Sequence, residues 1–190
     1  MTMREAFNVP NSVSFVRLLL IPVFIWLALT DQTAWAGALL GVIGATDWID
    51  GYFARKLDQV TELGKMLDPI ADRLAVAVAV VLGLVVGVFP WWFGWAIVVR
   101  EVVIGAGALY GWTHGVKRLD VRWLGKLATL LLYFAITGFY LAHGLDLTWL
   151  WWVSVAVGVP GLVTYYIVAF SYLGDMRTAI ATARNDTPTG

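Results

Sequence analysis

Apolar residues run along this chain in long blocks broken by short polar stretches, not in a strand-like alternation. Several blocks approach the roughly 20 residues that a membrane-spanning helix needs. Six are read as spans: 12–29, 34–52, 64–88, 91–112, 123–142 and 148–173. The second helix is expected to continue through Arg55 and Lys56. Between the spans lie a turn at 30–33, a polar loop at 57–62, a Phe89-Pro90 turn, a basic loop at 113–122 and a turn at 143–147. Residues 1–11 are polar to mixed and predict a juxtamembrane segment with a short interfacial helix. Pro10 and Asn11 mark the turn into the first span. Pro160 predicts a kink in the last span, and the polar stretch 174–190 predicts a frayed tail. The first block reads as a span and not as a signal peptide, because it is long, Pro22 interrupts it and no small-residue cleavage site follows. The expected fold is all-α: a polytopic membrane bundle of six transmembrane helices forming one domain over 1–190.

Composition sharpens this reading. The chain is 60% hydrophobic and only 14% charged, too apolar for an ordinary soluble domain of this size. Cysteine is absent, which excludes disulfides, thiolate metal sites and cysteine nucleophiles. Two histidines, His114 and His143, are too few for a His-rich metal site and read as interfacial. The net charge is zero, but its placement is uneven. Arg55, Lys56, Lys117, Arg118 and Arg122 lie in or beside the loops after the second and fourth spans. Arg4 lies near the start of the chain, and Arg177 and Arg184 lie in the tail. The other three turns hold no Lys or Arg. By the positive-inside rule, both termini and both large loops are expected in the cytoplasm of a cell-membrane protein. Trp35, Trp91, Trp92, Trp95, Trp149, Trp151 and Trp152 gather at the non-basic turns and read as an outer aromatic belt. Glycines four apart, Gly37/Gly41, Gly83/Gly87 and Gly107/Gly111, suit close helix packing within one chain or across a homodimer.

Against this apolar background, the stretch from Asp47 to Asp72 carries the chemistry. Asp47, Asp50, Asp68 and Asp72 lie inside or at the edge of spans, where ionisable residues are expensive and signal function. Asp47 is about 18 Å along its helix from Trp35, hence in the cytoplasmic half. The third span runs back outward, with Asp68 and Asp72 near its cytoplasmic end. The two pairs are therefore expected at one level on adjacent antiparallel helices. Spacings of three and four put each pair on one helical face. Small residues, Gly51, Ala54 and Gly64, clear space beside them. Four clustered carboxylates raise one another's pKa, and burial adds to this. A hard divalent cation removes the conflict, and all-oxygen ligands suit Mg²⁺ or Mn²⁺. Two ions bridged by shared carboxylates fit phosphoryl-transfer chemistry. The plainer reading, salt bridges to Arg55, Lys65 and Arg73, would suffice for one Asp–Arg pair. It leaves four aspartates on two stripes with interleaved glycines unexplained. Asp58 and Glu62 read as solvated loop residues.

The segment resembles the signature of the CDP-alcohol phosphatidyltransferases, D-x2-D-G-x2-A-R-x8-G-x3-D-x3-D. It matches at every fixed position: Asp47, Asp50, Gly51, Ala54, Arg55, Gly64, Asp68 and Asp72. Members of that family transfer a phosphatidyl group from a CDP-linked lipid to an alcohol and release CMP. The resemblance implies that Asp47, Asp50 and Asp68 are metal ligands, and that Asp72 is the general base and touches the second ion. Gly51, Arg55 and Thr61 match positions that hold the CDP moiety. The turn containing Asn11 resembles a further nucleotide contact. The physical chemistry of these residues agrees. Arg55 offers a fork suited to phosphate, and Gly51 and Gly64 permit close backbone approach. Implied partners are CDP-diacylglycerol, an alcohol or phospholipid acceptor and the surrounding membrane lipids. No nucleic acid is expected.

The remaining basic residues point to an anionic acceptor. Arg100 lies about 14 Å along its helix from Trp91 and must face a polar interior or a partner. Glu101, adjacent in sequence, is expected to point elsewhere and not to pair with it. Lys126 and Arg100 are the first candidates for an acceptor phosphate, with Arg17 third. Lys117 and Arg118 read as topology and attraction to anionic lipid. The opening NVPNSVSFVRLLLIP and the LGKMLDPIADR block resemble the phosphatidylglycerophosphate synthase branch, whose acceptor is glycerol 3-phosphate. LGKLATLLLY is closer to cardiolipin synthases, which use phosphatidylglycerol. An inositol phosphate acceptor is a third alternative. A cation-coupled transporter would instead show an inverted repeat and acids near the midplane, and an intramembrane aspartyl protease would need only two of these aspartates.

Overall fold

The computed structural model describes residues 9–57, 62–113 and 123–185, with side chains over 15–46, 73–113, 123–176 and at 178. Among the described residues are six helices: α1 Val9–Leu29, α2 Thr33–Leu57, α3 Glu62–Val86, α4 Trp91–Thr113, α5 Trp123–Gly144 and α6 Thr148–Asn185. Among the described residues, Trp91–Thr113, Trp123–Gly144 and Thr148–Met176 are long and apolar enough to cross a membrane. Phe15–Leu29, Thr33–Thr46 and Arg73–Val86 are shorter apolar helical stretches.

Three of the helix-to-helix turns share one solution. Gln32 N–H donates to Leu27 O, Val88 N–H to Gly83 O and Leu147 N–H to Ala142 O, at 3.0, 3.0 and 2.9 Å. The residue before each donor is left-handed: Asp31 at φ 57°, Gly87 at φ 75° and Asp146 at φ 53°. These are Schellman caps, which satisfy carbonyls that would otherwise lack partners at a helix end. Aspartate tolerates the left-handed region better than most side chains do. All three caps lie at the same end of the bundle, with Gly144 of α5 against Ala34 of α2.

Two expectations about the ends need correction. Pro10 and Asn11 lie within α1 and not in a turn before it. Proline suits a first helical turn, where its missing N–H has no partner to lose. The interfacial helix expected over 1–11 falls mostly outside the described residues. At the other end, α6 continues past 173 to Asn185. The Thr-Ala-Ile-Ala-Thr-Ala-Arg run offers no helix breaker, and buried Met176 packs against Gly107 and Gly111 of α4. Pro160 removes one ladder hydrogen bond, yet α6 runs through it, with the Thr164 hydroxyl donating to Pro160 O at 2.8 Å.

The principal helix pairs are α5 with α6, α2 with α5, α1 with α3, α1 with α2, and α4 with both α6 and α3. Glycine makes the α2–α5 contact possible. A Cβ on Gly37 would stand 2.9 Å from the backbone nitrogen of Leu141 and 2.9 Å from Tyr140 Cβ. Gly41 faces Thr137, and Gly44 lies under the Tyr133 ring, whose hydroxyl donates to Leu40 O. Gly107 and Gly111 likewise receive an α6 side chain, so two of the three glycine pairs serve packing inside this chain. Gly83/Gly87 differs: Gly83 receives the Phe89 ring and Gly87 forms a cap.

The core is aromatic. Phe89, Phe93 and Phe139 meet with ring centroids 5.3–5.8 Å apart, and Phe24 meets Tyr140 at 5.3 Å. Trp35, Trp91, Trp92, Trp95, Trp149 and Trp152 are exposed, as an interfacial belt requires. Trp151 departs from that expectation. It is half-buried and packs its ring edge-on to Phe139 at 5.9 Å.

Candidate active site

Tyr140 is the node from which the acidic region can be located. It touches Phe24 of α1 and Gly37 of α2, and its hydroxyl donates to Ala79 O of α3 at 2.8 Å. Below this node, towards the link between α2 and α3, lie the acidic positions. At about 1.5 Å per residue, Asp72 is roughly 10 Å along α3 from Ala79, and Asp68 roughly 16 Å. Asp47 is roughly 15 Å along α2 from Gly37, and Asp50 roughly 20 Å. The four positions thus occupy overlapping depths on two helices. Residues 58–61 are the only connection, so Leu57 and Glu62 stand at most about 18 Å apart.

The sequence reading takes α2 and α3 as directly adjacent. Among the described residues they are not a principal packed pair. Instead, α1 lies against both, and α5 packs along α2 and touches α3. Tyr140 touches both, on the side of the capped helix ends. The side chains of Asn11, Asp47, Asp50, Gly51, Arg55, Gly64, Asp68 and Asp72 lie outside the described ones, although each residue is helical. Thr61 lies outside the described residues altogether, as do Lys117, Arg118 and Arg122.

Two described features open this region to a ligand. The first is the α2–α5 seam. Gly37, Gly41 and Gly44 meet Tyr140, Thr137 and Tyr133 in antiparallel register, and two further turns bring Gly51 level with Lys126. Lys126, Thr129 and Leu130 are exposed, whereas Tyr133, Thr137 and Tyr140 on the same side are covered. Below Tyr133, at the depth of the aspartate positions, α5 thus leaves Lys126, Thr129 and Leu130 uncovered. The second is Arg17. It is 3% exposed and continues the buried stripe of Ile21, Phe24 and Ala28 on α1. It lies roughly 10 Å below Phe24 along α1, which matches the depth of Asp72 below Ala79. A buried guanidinium is tolerated only beside anions or acceptors, and the acidic positions of α2 and α3 are at that level.

Arg100 is also buried, at 9% exposure. Contrary to expectation, it pairs with Glu101: Nη1 donates to Oε1 at 2.8 Å. Adjacent helical residues diverge, but the arginine stem is long enough to fold back along the helix surface. The same Glu101 oxygen accepts the hydroxyl of Tyr165 from α6, and the Arg100 guanidinium carbon lies 3.7 Å from the centroid of the Tyr165 ring. Sequence reasoning missed Tyr165. It sits in an apolar run beside Tyr166, and nothing in its spacing separates it from a core aromatic.

Comparison with known proteins agrees with the geometry. The family model for CDP-alcohol phosphatidyltransferase matches residues 7–173. A protein of Mycobacterium tuberculosis, provisionally named a cardiolipin synthase, is 39% identical over 130 residues, covering 68% of this chain and 62% of the relative. The chain thus spans about three fifths of the length of the mycobacterial relatives it matches. A cardiolipin synthase (CMP-forming) of Streptomyces coelicolor is 33% identical over 145 residues, with 72% and 66% covered. The CDP-diacylglycerol–glycerol-3-phosphate 3-phosphatidyltransferase of Escherichia coli is 30% identical over 190 residues, with 95% and 97% covered. With an unbroken eight-position signature across α2 and α3 and a family match over nearly the whole helical bundle, the chain belongs to the CDP-alcohol phosphatidyltransferase family.

Proposed function

We propose that the chain transfers a phosphatidyl group from CDP-diacylglycerol to a phosphate-bearing alcohol and releases CMP, with glycerol 3-phosphate as acceptor. The observation that carries this reading is the unbroken signature, which sets four aspartate positions at overlapping depths on two helices. Asp47, Asp50, Asp68 and Asp72 form a hard, all-oxygen donor set that fits Mg²⁺ or Mn²⁺. Bound there, two such ions would neutralise charge on the diphosphate and on the leaving phosphate. Arg55 holds a phosphate oxygen of the CDP group, while Gly51 and Gly64, with Thr61 and Asn11, give the nucleotide close backbone and side-chain contacts. Asp72 accepts the proton of the acceptor hydroxyl as its oxygen attacks the lipid-bearing phosphorus. The P–O bond to CMP breaks, and CMP leaves with the electron pair. The acyl chains remain in lipid throughout. Arg17, Arg100 and Lys126 supply positive charge for the acceptor phosphate. The charge pattern assigns the active site and both termini to the cytoplasmic face of a six-span chain.

A second reading, with phosphatidylglycerol as acceptor, is favoured by the higher identity to the mycobacterial and Streptomyces relatives. Alignment over nearly the full length of the Escherichia coli enzyme, at 30% identity, supports glycerol 3-phosphate as the first choice. Purified protein with CDP-diacylglycerol and Mg²⁺, offered glycerol 3-phosphate, phosphatidylglycerol or an inositol phosphate in turn, decides between them. CMP release with glycerol 3-phosphate is expected. Release only with phosphatidylglycerol would reassign the acceptor.

A further inference from the structure

The Arg100–Glu101–Tyr165 cluster does more than join two helices. The Tyr165 ring fixes the plane of the Arg100 guanidinium, and Glu101 fixes its rotation by taking Nη1. The hydroxyl of Tyr165 in turn holds Glu101. Nε of Arg100 is buried and has no hydrogen-bond partner among the described residues. An arginine fork presents five N–H donors, so one edge is occupied and Nε on the other is left without a partner. Glu101 is 48% exposed at its side chain, yet it lies about 15 Å along α4 from Trp91. A carboxylate bared at that depth requires a polar, water-accessible space and not lipid. Arg73 of α3 is close enough to act electrostatically on Tyr165. Arg73 directly follows Asp72. A clamp for α4 and α6 is already provided elsewhere: Tyr166 donates to Ala96 O at 2.8 Å, Phe93 packs on Gly158, and Met176 packs on Gly107 and Gly111.

We propose that Glu101 and Tyr165 are positioning residues, which hold Arg100 with its Nε edge turned to a phosphate oxygen of the acceptor. This rests on the transferase reading above. Glu101 also gives the buried guanidinium a counter-charge while the acceptor is absent, when an unpaired charge would be strongly unfavourable.

The test is steady-state kinetics on the full chain in detergent, with Mg²⁺, CDP-diacylglycerol and whichever of glycerol 3-phosphate and phosphatidylglycerol the wild type uses. Glu101→Gln is expected to raise the acceptor KM about tenfold, the loss of one charge-assisted hydrogen bond, and to leave the KM for CDP-diacylglycerol within about twofold. Tyr165→Phe keeps the stacked ring and should give a smaller rise than Tyr165→Leu. Adding Glu101→Gln to Arg100→Ala should produce no further rise, because the carboxylate acts through Arg100. Turnover with an unchanged acceptor KM in Glu101→Gln and Tyr165→Phe would overturn the inference. So would equal changes in both KM values together with a fall in Tm, the mark of a purely structural clamp. No CMP from the wild type with glycerol 3-phosphate, phosphatidylglycerol or an inositol phosphate would overturn the transferase reading itself, and this inference with it.

Discussion

Gly87 closes α3 at φ 75°, and a Cβ there would meet nothing within 4 Å. Its requirement is therefore one of backbone alone. Gly87→Ala is expected to destabilise the chain by about 1–2 kcal/mol, the left-handed penalty for an L-residue, read as a lower Tm in detergent. An unchanged Tm would mean that the turn relaxes freely. Arg100 shows what residue-scale sequence reasoning can and cannot reach. An arginine about 14 Å inside a span had to face polar groups, and it does. Its partner was misjudged, because the divergence of neighbouring helical residues ignores the reach of a long, flexible side chain. Tyr165, the residue that completes the cluster, comes from a different helix sixty-odd positions away, and no local pattern announces such a pairing.

At the scale of elements, hydropathy located all six helices, because an apolar block bounded by turn residues has one stable arrangement in lipid. The ends were less legible. The helix α6 outruns its apolar block, since helix propensity and the contact of Met176 with α4, not hydropathy, decide where it stops. The glycine pairs were visible as small-residue stripes, but their partners were not. Gly37 proves to be a close point of the α2–α5 seam, against a backbone nitrogen that cannot turn aside. Gly37→Leu is expected to force the helices apart, lowering both Tm and CMP release. Gly105→Leu, where a Cβ meets nothing within 4 Å, should leave Tm unchanged. Equal Tm losses in the two variants would show that the seam is not specific.

For the molecule as a whole, three Schellman caps define one end of the bundle, and the link between α2 and α3 defines the other. The absence of cysteine makes the proposed orientation directly testable. Single cysteines at Gln32 or Leu145, both exposed beside those caps, should react with a membrane-impermeant thiol reagent from outside intact cells. One at Asp120 should react only after the membrane is opened. The reverse pattern would invert the topology and move the active site to the outer face. The acidic motif was fully legible in sequence, because its spacing alone marks two helical faces. Its setting was not. That α1 lies against both α2 and α3, with Tyr140 of α5 touching both, follows from packing among residues far apart in the chain.

The measurement closest to the central claim is CMP release from CDP-diacylglycerol by purified wild type and Asp72→Asn, each with Mg²⁺ and with the metal chelated. The account predicts acceptor-dependent CMP release by the wild type that stops on chelation. It predicts a loss of about 10²–10⁴-fold in Asp72→Asn, the usual contribution of a positioned general base, with binding of the CDP-lipid largely retained. Wild-type release that survives chelation, or an Asp72→Asn rate equal to wild type, would contradict it.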